Sequence, residues 1–355
     1  MTGPAARAGA LIDCRPSLSW GAAALGMAMV LALCEPVLAQ VVGTSEAVTK
    51  IEVRAAPIPG FDTRDPALRR FGALHFRGGL QLSSPEKSFG GFSAIRVSPD
   101  GARFIAVSDR GNWWRGRIVY DGERPAGIAD AEMAPILGPD GKPARSRRWY
   151  DAESIAEDDG TLYVGIERAH VILRFDYARR GLAARGEPIA VPPGIKTLVN
   201  NRGLECLAMV PKGQTLAGSL IAVSELTLDA QGNHVAFLIG GPKPGPFAVK
   251  HTDDYSVSDC ALLPAGDLLI LERRLSLLRG GAIRIRRIAQ SAIAPGAVVD
   301  GPVLIEADLG YQIDNMEGLS VHRNARGEIV LTLISDDNFS LLQRTLLLQF
   351  TLIEP

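Results

Sequence analysis

Ala152-Glu153-Ser154-Ile155, a turn at Asp158-Asp159-Gly160 and an apolar run 162–167 ending in Glu167 make up the stretch that decides the fold. It reads as a short strand with an early polar residue, a tight turn, and a second strand closing on a carboxylate. The same pattern stands at four other places. Phe92-Ser93-Ala94-Ile95 leads through Ser98-Pro99-Asp100-Gly101 to the run 104–109, ending in Asp109. Leu204-Glu205-Cys206-Leu207 leads through Pro211-Lys212-Gly213 to the run 220–225, ending in Glu225. Ser258-Asp259-Cys260-Ala261 leads through Pro264-Ala265-Gly266 to the run 268–272, ending in Glu272. Met316-Glu317-Gly318-Leu319 leads through the turn 324–327 to the run 329–336, ending in Asp336.

The early polar positions, Ser93, Glu153, Glu205, Asp259 and Glu317, are spaced 60, 52, 54 and 58 residues apart. Each interval has room for a four-stranded antiparallel sheet, and a third strand is visible at 171–175 and 283–288. No sustained helical period runs through the chain; the strongest helical stretch, 65–70, is short. All-β repeats of this length predict the blades of a β-propeller. Strand-like runs at 51–54 and 74–82, completed by 346–352, supply material for a further blade. The expectation is an all-β propeller of six blades, with five or seven left open.

Composition narrows the function classes. The 355 residues are 46% hydrophobic and 22% charged, with a net charge of -1, which removes any broad attraction to nucleic acid or anionic membrane. The 38 Gly and 23 Pro fit a turn-rich chain. Arg7 and Arg15 precede an apolar run at 20–33, shorter than the roughly 20 residues of a membrane span, and Val37-Leu38-Ala39 follows with small residues suited to cleavage. Residues 1–39 are therefore predicted to be a signal peptide. Residues 40–355 are predicted to be a single exported domain, periplasmic or extracellular, with no membrane span after processing. Cys14 and Cys34 would leave with the signal. Cys206 and Cys260 share one repeat position, filled elsewhere by Ala94, Ser154 and Gly318. That small-residue slot predicts buried free thiols, with a disulfide between adjacent blades as the alternative.

Equivalent positions on the inner strands of a propeller form rings around its channel. Stacking the repeats places Glu153, Glu205, Asp259 and Glu317 in one ring, and Asp109, Glu167, Glu225, Glu272 and Asp336 in another. So many carboxylates repel unless compensated. A hard cation such as Ca²⁺, which takes six to eight oxygens, is one remedy. Arginine is the other, and Arg110, Arg168, Arg202, Arg273 and Arg274 sit beside these acids. The candidate catalytic residues are Glu153, Glu205, Asp259, Glu317 and Asp109. The candidate Ca²⁺ ligands are Glu205, Glu317, Asp336 and Asp337. The candidate substrate-binding residues are Arg110, Arg202, Asn201 and Asn315. The plain alternative is that repeated acids bond backbone amides of the next blade and serve as glue. The basic-aromatic run 145–150 leads into Asp151 at the same channel mouth. Nucleophile elbows, zinc motifs and phosphate-binding loops are absent.

Gly90-Gly91-Phe92-Ser93 with Ser108-Asp109-Arg110-Gly111 resembles the opening of the phytase-like family, also called "esterase-like activity of phytase". Tyr150-Asp151-Ala152-Glu153, Asn201-Arg202-Gly203-Leu204-Glu205 and Asp314-Asn315-Met316-Glu317-Gly318 look like its next signatures, in order. Asp336-Asp337-Asn338-Phe339 and Gln343-Arg344-Thr345 resemble its closing segment. The resemblance covers roughly residues 70–352. It implies an exported propeller whose recurring acids are catalytic or metal-binding, and its name points to ester hydrolysis. Ser93 departs from the acid pattern, and the dense Asp-rich loops of calcium-dependent propeller phytases are not seen. Two readings follow. One is a metal-assisted phosphoesterase or esterase acting on a small, phosphorylated substrate, with a sugar-lactone hydrolase as a variant. The other is a non-enzymatic propeller that binds a ligand or protein through its channel face.

Overall fold

Each repeat becomes one antiparallel sheet. The structure, a computed structural model, describes residues 48–276 and 280–353. The predicted signal segment 1–39 lies outside them. Blade I runs outward from Phe92–Val97 through Arg103–Ser108 and Asn112–Asp121 to Arg124–Pro135. Blade II comprises Ala152–Asp158, Thr161–Ile166 and Val171–Asp176, edged by Glu187–Pro188. Blade III comprises Leu204–Met209, Ser219–Leu228, His234–Gly240 and Gly245–Val249. Blade IV comprises Ser256–Leu262, Leu268–Ser276, Gly280–Ile288 and Val303–Asp308. Blade V starts with Asn315–Arg323, Ile329–Asp336 and Thr345–Leu352.

The propeller has five blades, one of the counts the sequence leaves open, and the strands available for a sixth do not form a separate sheet. Thr345–Leu352 pairs on its outer side with Leu74–Ser83, and Arg54–Ile58 follows on the far edge. The N-terminal strands thus extend blade V and fasten the two ends of the chain together. The inner strands of blades V and I already touch, so the ring is complete without another sheet. The segment 65–70 forms a turn before Arg70–Phe71 rather than a helix. The α-helix of the described residues is the four-residue Tyr177–Arg180. No described helix is long and apolar enough to cross a membrane.

Burial explains why the sheets stack face to face. Alternating apolar side chains from neighbouring sheets meet in five layers, one at each blade interface. Trp113, for example, packs with Ile155 and Phe175 between blades I and II, and Leu271 with Met316 between blades IV and V. The first hairpin of each blade turns through a left-handed glycine: Gly101, Gly160, Gly213, Gly266 and Gly327, with φ of 74°, 75°, 90°, 103° and 81°. A side chain would be strained in that conformation.

Every inner strand carries a β-bulge at the same place. Pairing jumps past Ser93, Glu153, Glu205, Ser258 and Glu317, leaving one unpaired residue per blade. A bulge re-aims the extra side chain, here toward one end of the channel. In blade IV the bulged residue is Ser258, so the alignment expected from sequence is one residue late there. Asp259 instead matches Cys206, and Glu272 gives way to Arg273 at the end of the second strand. The cysteines correspondingly do not occupy one slot. They form the disulfide Cys206–Cys260 across the inner strands of blades III and IV, with Cα atoms 5.0 Å apart, and the free-thiol expectation is corrected.

Candidate active site at the acidic channel mouth

The five bulges and the residues that end the second strands converge on one mouth. Blade I contributes Asp109, blade II Glu153 and Glu167, blade III Glu205 and Glu225, and blade V Glu317 and Asp336. Asp151, just before the inner strand of blade II, joins them in a left-handed conformation at φ 67°. Blade IV contributes a cation, Arg273, where the other blades carry an acid, and Arg168 of blade II donates to Asp151 at 2.6 Å. Arg273 Nη1 donates to Asn315 Oδ1 at 2.6 Å and to Glu317 Oε1, and its Nη2 donates to Glu225 Oε1 at 3.2 Å. Asn315 Nδ2 donates to the same Glu317 oxygen at 2.9 Å.

Two oxygen clusters lie in this mouth. Asp151, Glu153 and Glu167 each offer a carboxylate oxygen within 4.8 Å of the others, and so do Glu167, Glu205 and Glu225. Glu205 and Glu317 are buried, and the Oε2 atom of each has no hydrogen-bond partner. Asp109 Oδ1 is likewise buried and unpartnered. A buried carboxylate oxygen without a donor costs free energy unless a proton, cation or ligand meets it.

Crowding shows in the proton affinities. Burial, then repulsion from Asp336 and Asp151, pushes the Asp109 carboxyl up to about 7. Burial also lifts Glu167 to about 7, against the Gly203 amide bond that holds it down, with Asp151 and Glu225 adding to the rise. Asp336 rises to about 6, mainly through burial. Glu153 and Glu205 are raised well above the ordinary range by burial first; Glu317 and Asp151 add to the rise at Glu153, and Glu153 and Glu317 add to it at Glu205. Burial raises Glu317 as well, with Arg273 pulling the other way.

Several predicted site residues lie elsewhere or are otherwise engaged. Asp259 is not at the mouth. Its two oxygens accept from Arg96 at 2.9 and 3.1 Å, from the Leu319 amide at 2.7 Å and from the Cys260 amide at 2.7 Å. Arg96 also donates to the carbonyls of Leu207, Cys260 and Leu319, so one guanidinium ties four inner strands together. Asp259 is glue, and its catalytic assignment is withdrawn. Asp337 Oδ1 accepts from the Gly91 and Phe339 amides, both at 3.0 Å, and its Oδ2 from Thr345 at 2.9 Å. It fastens blade V to blade I, and its oxygens are not offered to a cation. Glu272 is buried between Arg284 and Arg286 inside blade IV. Asn201 and Arg202 are exposed on the lip, where Arg202 O accepts from Thr227. Arg110 is exposed and lies over the Phe339 ring, 3.1 Å from its centroid.

The sequence reading named Arg273 as a neighbour of the acids and missed it as their hub. The signal was there: counting five residues on from Phe104, Leu162, Leu220, Leu268 and Leu331 reaches Asp109, Glu167, Glu225, Arg273 and Asp336. Arg96 gave no such signal, because its partners come from three other blades.

The donors of the mouth are all oxygens, which suits a hard cation such as Ca²⁺ rather than a soft metal. The unpartnered Oε2 atoms of Glu205 and Glu317 fit that chemistry.

The phytase-like family, described as "Esterase-like activity of phytase", matches residues 87–339, more than half of the chain. No curated protein matches. Solved structures similar to the chain include the α-L-arabinofuranosidase from Podospora anserina in complex with cellotriose, at 13% identity and a TM-score of 0.47, covering 79% of this chain and 97% of that one. The endo-arabinase from Bacteroides thetaiotaomicron is 13% identical with a TM-score of 0.43, covering 74% of this chain and 94% of that one. The PQQ-bound aldose sugar dehydrogenase from Streptomyces coelicolor is 16% identical with a TM-score of 0.39, covering 85% of this chain and 98% of that one.

Proposed function

The chain belongs to the phytase-like family, and from that premise we propose that the acidic mouth is the active site of an exported ester hydrolase whose substrates are phosphoesters. One observation carries the reading: carboxylates from four blades gather at one mouth, two of them, Glu225 and Glu317, on the guanidinium of Arg273, with buried oxygens of Glu205 and Glu317 left without donors. Structural glue does not leave such oxygens, as the fully bonded Asp259 and Asp337 illustrate.

Glu167, Glu205 and Glu225, or Asp151, Glu153 and Glu167, would hold a divalent cation of the Ca²⁺ type. Bound there, it supplies polarisation of a phosphoryl oxygen and acidifies water. The other roles belong to the chain itself. Asp109 stands outside both oxygen clusters with Oδ1 unpartnered, and its affinity near neutrality suits it to take the proton of an attacking water. Arg110 and Arg202, exposed at the lip, present forked donors to phosphate oxygens. Asn315 orients Glu317 through its amide. The Cys206–Cys260 disulfide supports an oxidising destination, in keeping with a signal peptide at 1–39.

The test is turnover by the purified protein lacking residues 1–39, assayed on phosphomonoesters, phosphodiesters and carboxyl esters, with Ca²⁺ and with EDTA. Phosphoester hydrolysis that EDTA abolishes is expected. Ca²⁺ binding with no turnover of any ester would instead favour the ligand-binding propeller.

A further inference from the structure

We infer that Arg273 is an exchangeable partner of the mouth, so that cation binding and oxyanion binding are coupled through it. The inference rests on reading the mouth as a cation and phosphoester site, and adds how its two ligands depend on each other.

The geometry sets up a competition. Glu225 belongs to the oxygen cluster with Glu167 and Glu205, and the same Glu225 accepts from Arg273 Nη2 at 3.2 Å. Arg273 also holds Glu317, whose second oxygen is buried and unpartnered. One of the carboxylates on which a cation would draw, Glu225, is therefore already engaged by a guanidinium. A divalent ion in that cluster outcompetes a single positive charge for Glu225 and leaves the Nη2 edge of Arg273 unfilled. The side chain of Arg273 is 26% exposed and that of Glu225 15%, so this edge is reachable from the mouth. A freed guanidinium edge matches two oxygens of a phosphate. The reverse path is equally open. An oxyanion on Arg273 loosens its grip on Glu225, releases that carboxylate to a cation, and adds a negative charge beside it.

Position explains why the residue is arginine. It occupies, in blade IV, the place where the other blades carry Asp109, Glu167, Glu225 and Asp336. With neither ligand present, Arg273 neutralises part of the ring. With both present, cation and anion replace it in that task. Linkage requires each ligand to tighten the other by one factor.

Titration calorimetry of Ca²⁺ into the protein, with and without inorganic phosphate below its precipitation limit, tests this. Phosphate should lower the Ca²⁺ Kd by at least about fivefold, and Ca²⁺ should tighten phosphate equally. In Arg273→Gln the coupling should vanish, while Ca²⁺ alone binds as tightly as in the parent or more tightly, since its competitor is gone. Glu225→Gln should weaken Ca²⁺ and also lose the coupling, with a cooperative melt showing that it folds. A smaller effect of phosphate on the parent overturns the inference, as does coupling that survives Arg273→Gln, or weaker Ca²⁺ binding by that variant. Turnover and Ca²⁺ binding without coupling would remove this inference alone. Absence of Ca²⁺ binding would remove it together with the cation role proposed above.

Discussion

Asp259 keeps its place in the interior because four donors meet its two oxygens: Arg96 twice, and the amides of Leu319 and Cys260. Glu205 has a buried oxygen that nothing meets. The same chemical group therefore plays opposite parts, and substitution separates them. Asp259→Asn leaves Arg96 buried without its counter-ion, and should cost about 3–5 kcal/mol in urea unfolding while the Ca²⁺ response is retained. A stable variant that loses that response would return Asp259 to the site. Glu205→Gln removes a repelled charge, so in EDTA it should melt at a higher temperature than the parent. Glu317→Gln breaks the pair with Arg273 and should melt lower. In Ca²⁺ both variants should lose most of the stabilisation that the ion gives the parent. Identical behaviour of the two in EDTA would contradict the partner assignments.

At the scale of the element, the bulge is the device that builds the mouth. It lifts one residue per inner strand out of the pairing and turns it to the channel, and it does so in all five blades. Four of the five early polar residues were legible in sequence, since Ser93, Glu153, Glu205 and Glu317 are the bulged ones. Blade IV misled because Ser258 and Asp259 are both polar, and the acid looked like the better match. Only the pairing of Val257 with Glu272 and of Asp259 with Leu271 shows which one is extruded. That one-residue difference also brings Cys206 and Cys260 to bonding distance. The disulfide spans 54 residues and holds the strand bearing Glu205 to blade IV. In the chain-entropy account a loop of that size is worth about 4 kcal/mol. The Cys206→Ser, Cys260→Ser double variant should lose stability of that order by urea unfolding, measured against the oxidised parent. An unchanged unfolding midpoint would mean that the bond contributes nothing to holding blades III and IV.

For the molecule as a whole, the crowded mouth makes stability depend on pH and cation together. Asp109 and Glu167 sit near 7 and Asp336 near 6, while unfolded carboxyls titrate at about 4. The folded chain thus holds extra protons between about pH 4 and 7, and these acids take stability away as pH rises through that window. Two buried histidines act in the opposite direction. Burial lowers His234 to about 3 and His322 to about 4, so their neutral forms cost stability as pH falls below about 6.5. The bare melting profile mixes both effects, whereas the increment caused by Ca²⁺ isolates the mouth. That increment should be larger at pH 8 than at pH 5, because protons compete with the cation for the same carboxylates. Equal increments at the two pH values would count against a cation held by the mouth acids.

The all-β character and the five related units, each with polar and mostly acidic residues at two recurring positions, are readable along the chain alone. Those features are local: alternation, turn chemistry and spacing are written along one strand pair at a time. The blade count, the disulfide and the membership of the site were decided only by tertiary structure. The ring closes when strands at opposite ends of the chain pair, as Leu74–Ser83 does with Thr345–Leu352. Whether an acid becomes glue or stays available depends on donors from other blades, such as Arg96 for Asp259 and Arg273 for Glu317. Those partners lie 163 and 44 residues away along the chain, and only the closed ring brings them within a hydrogen bond.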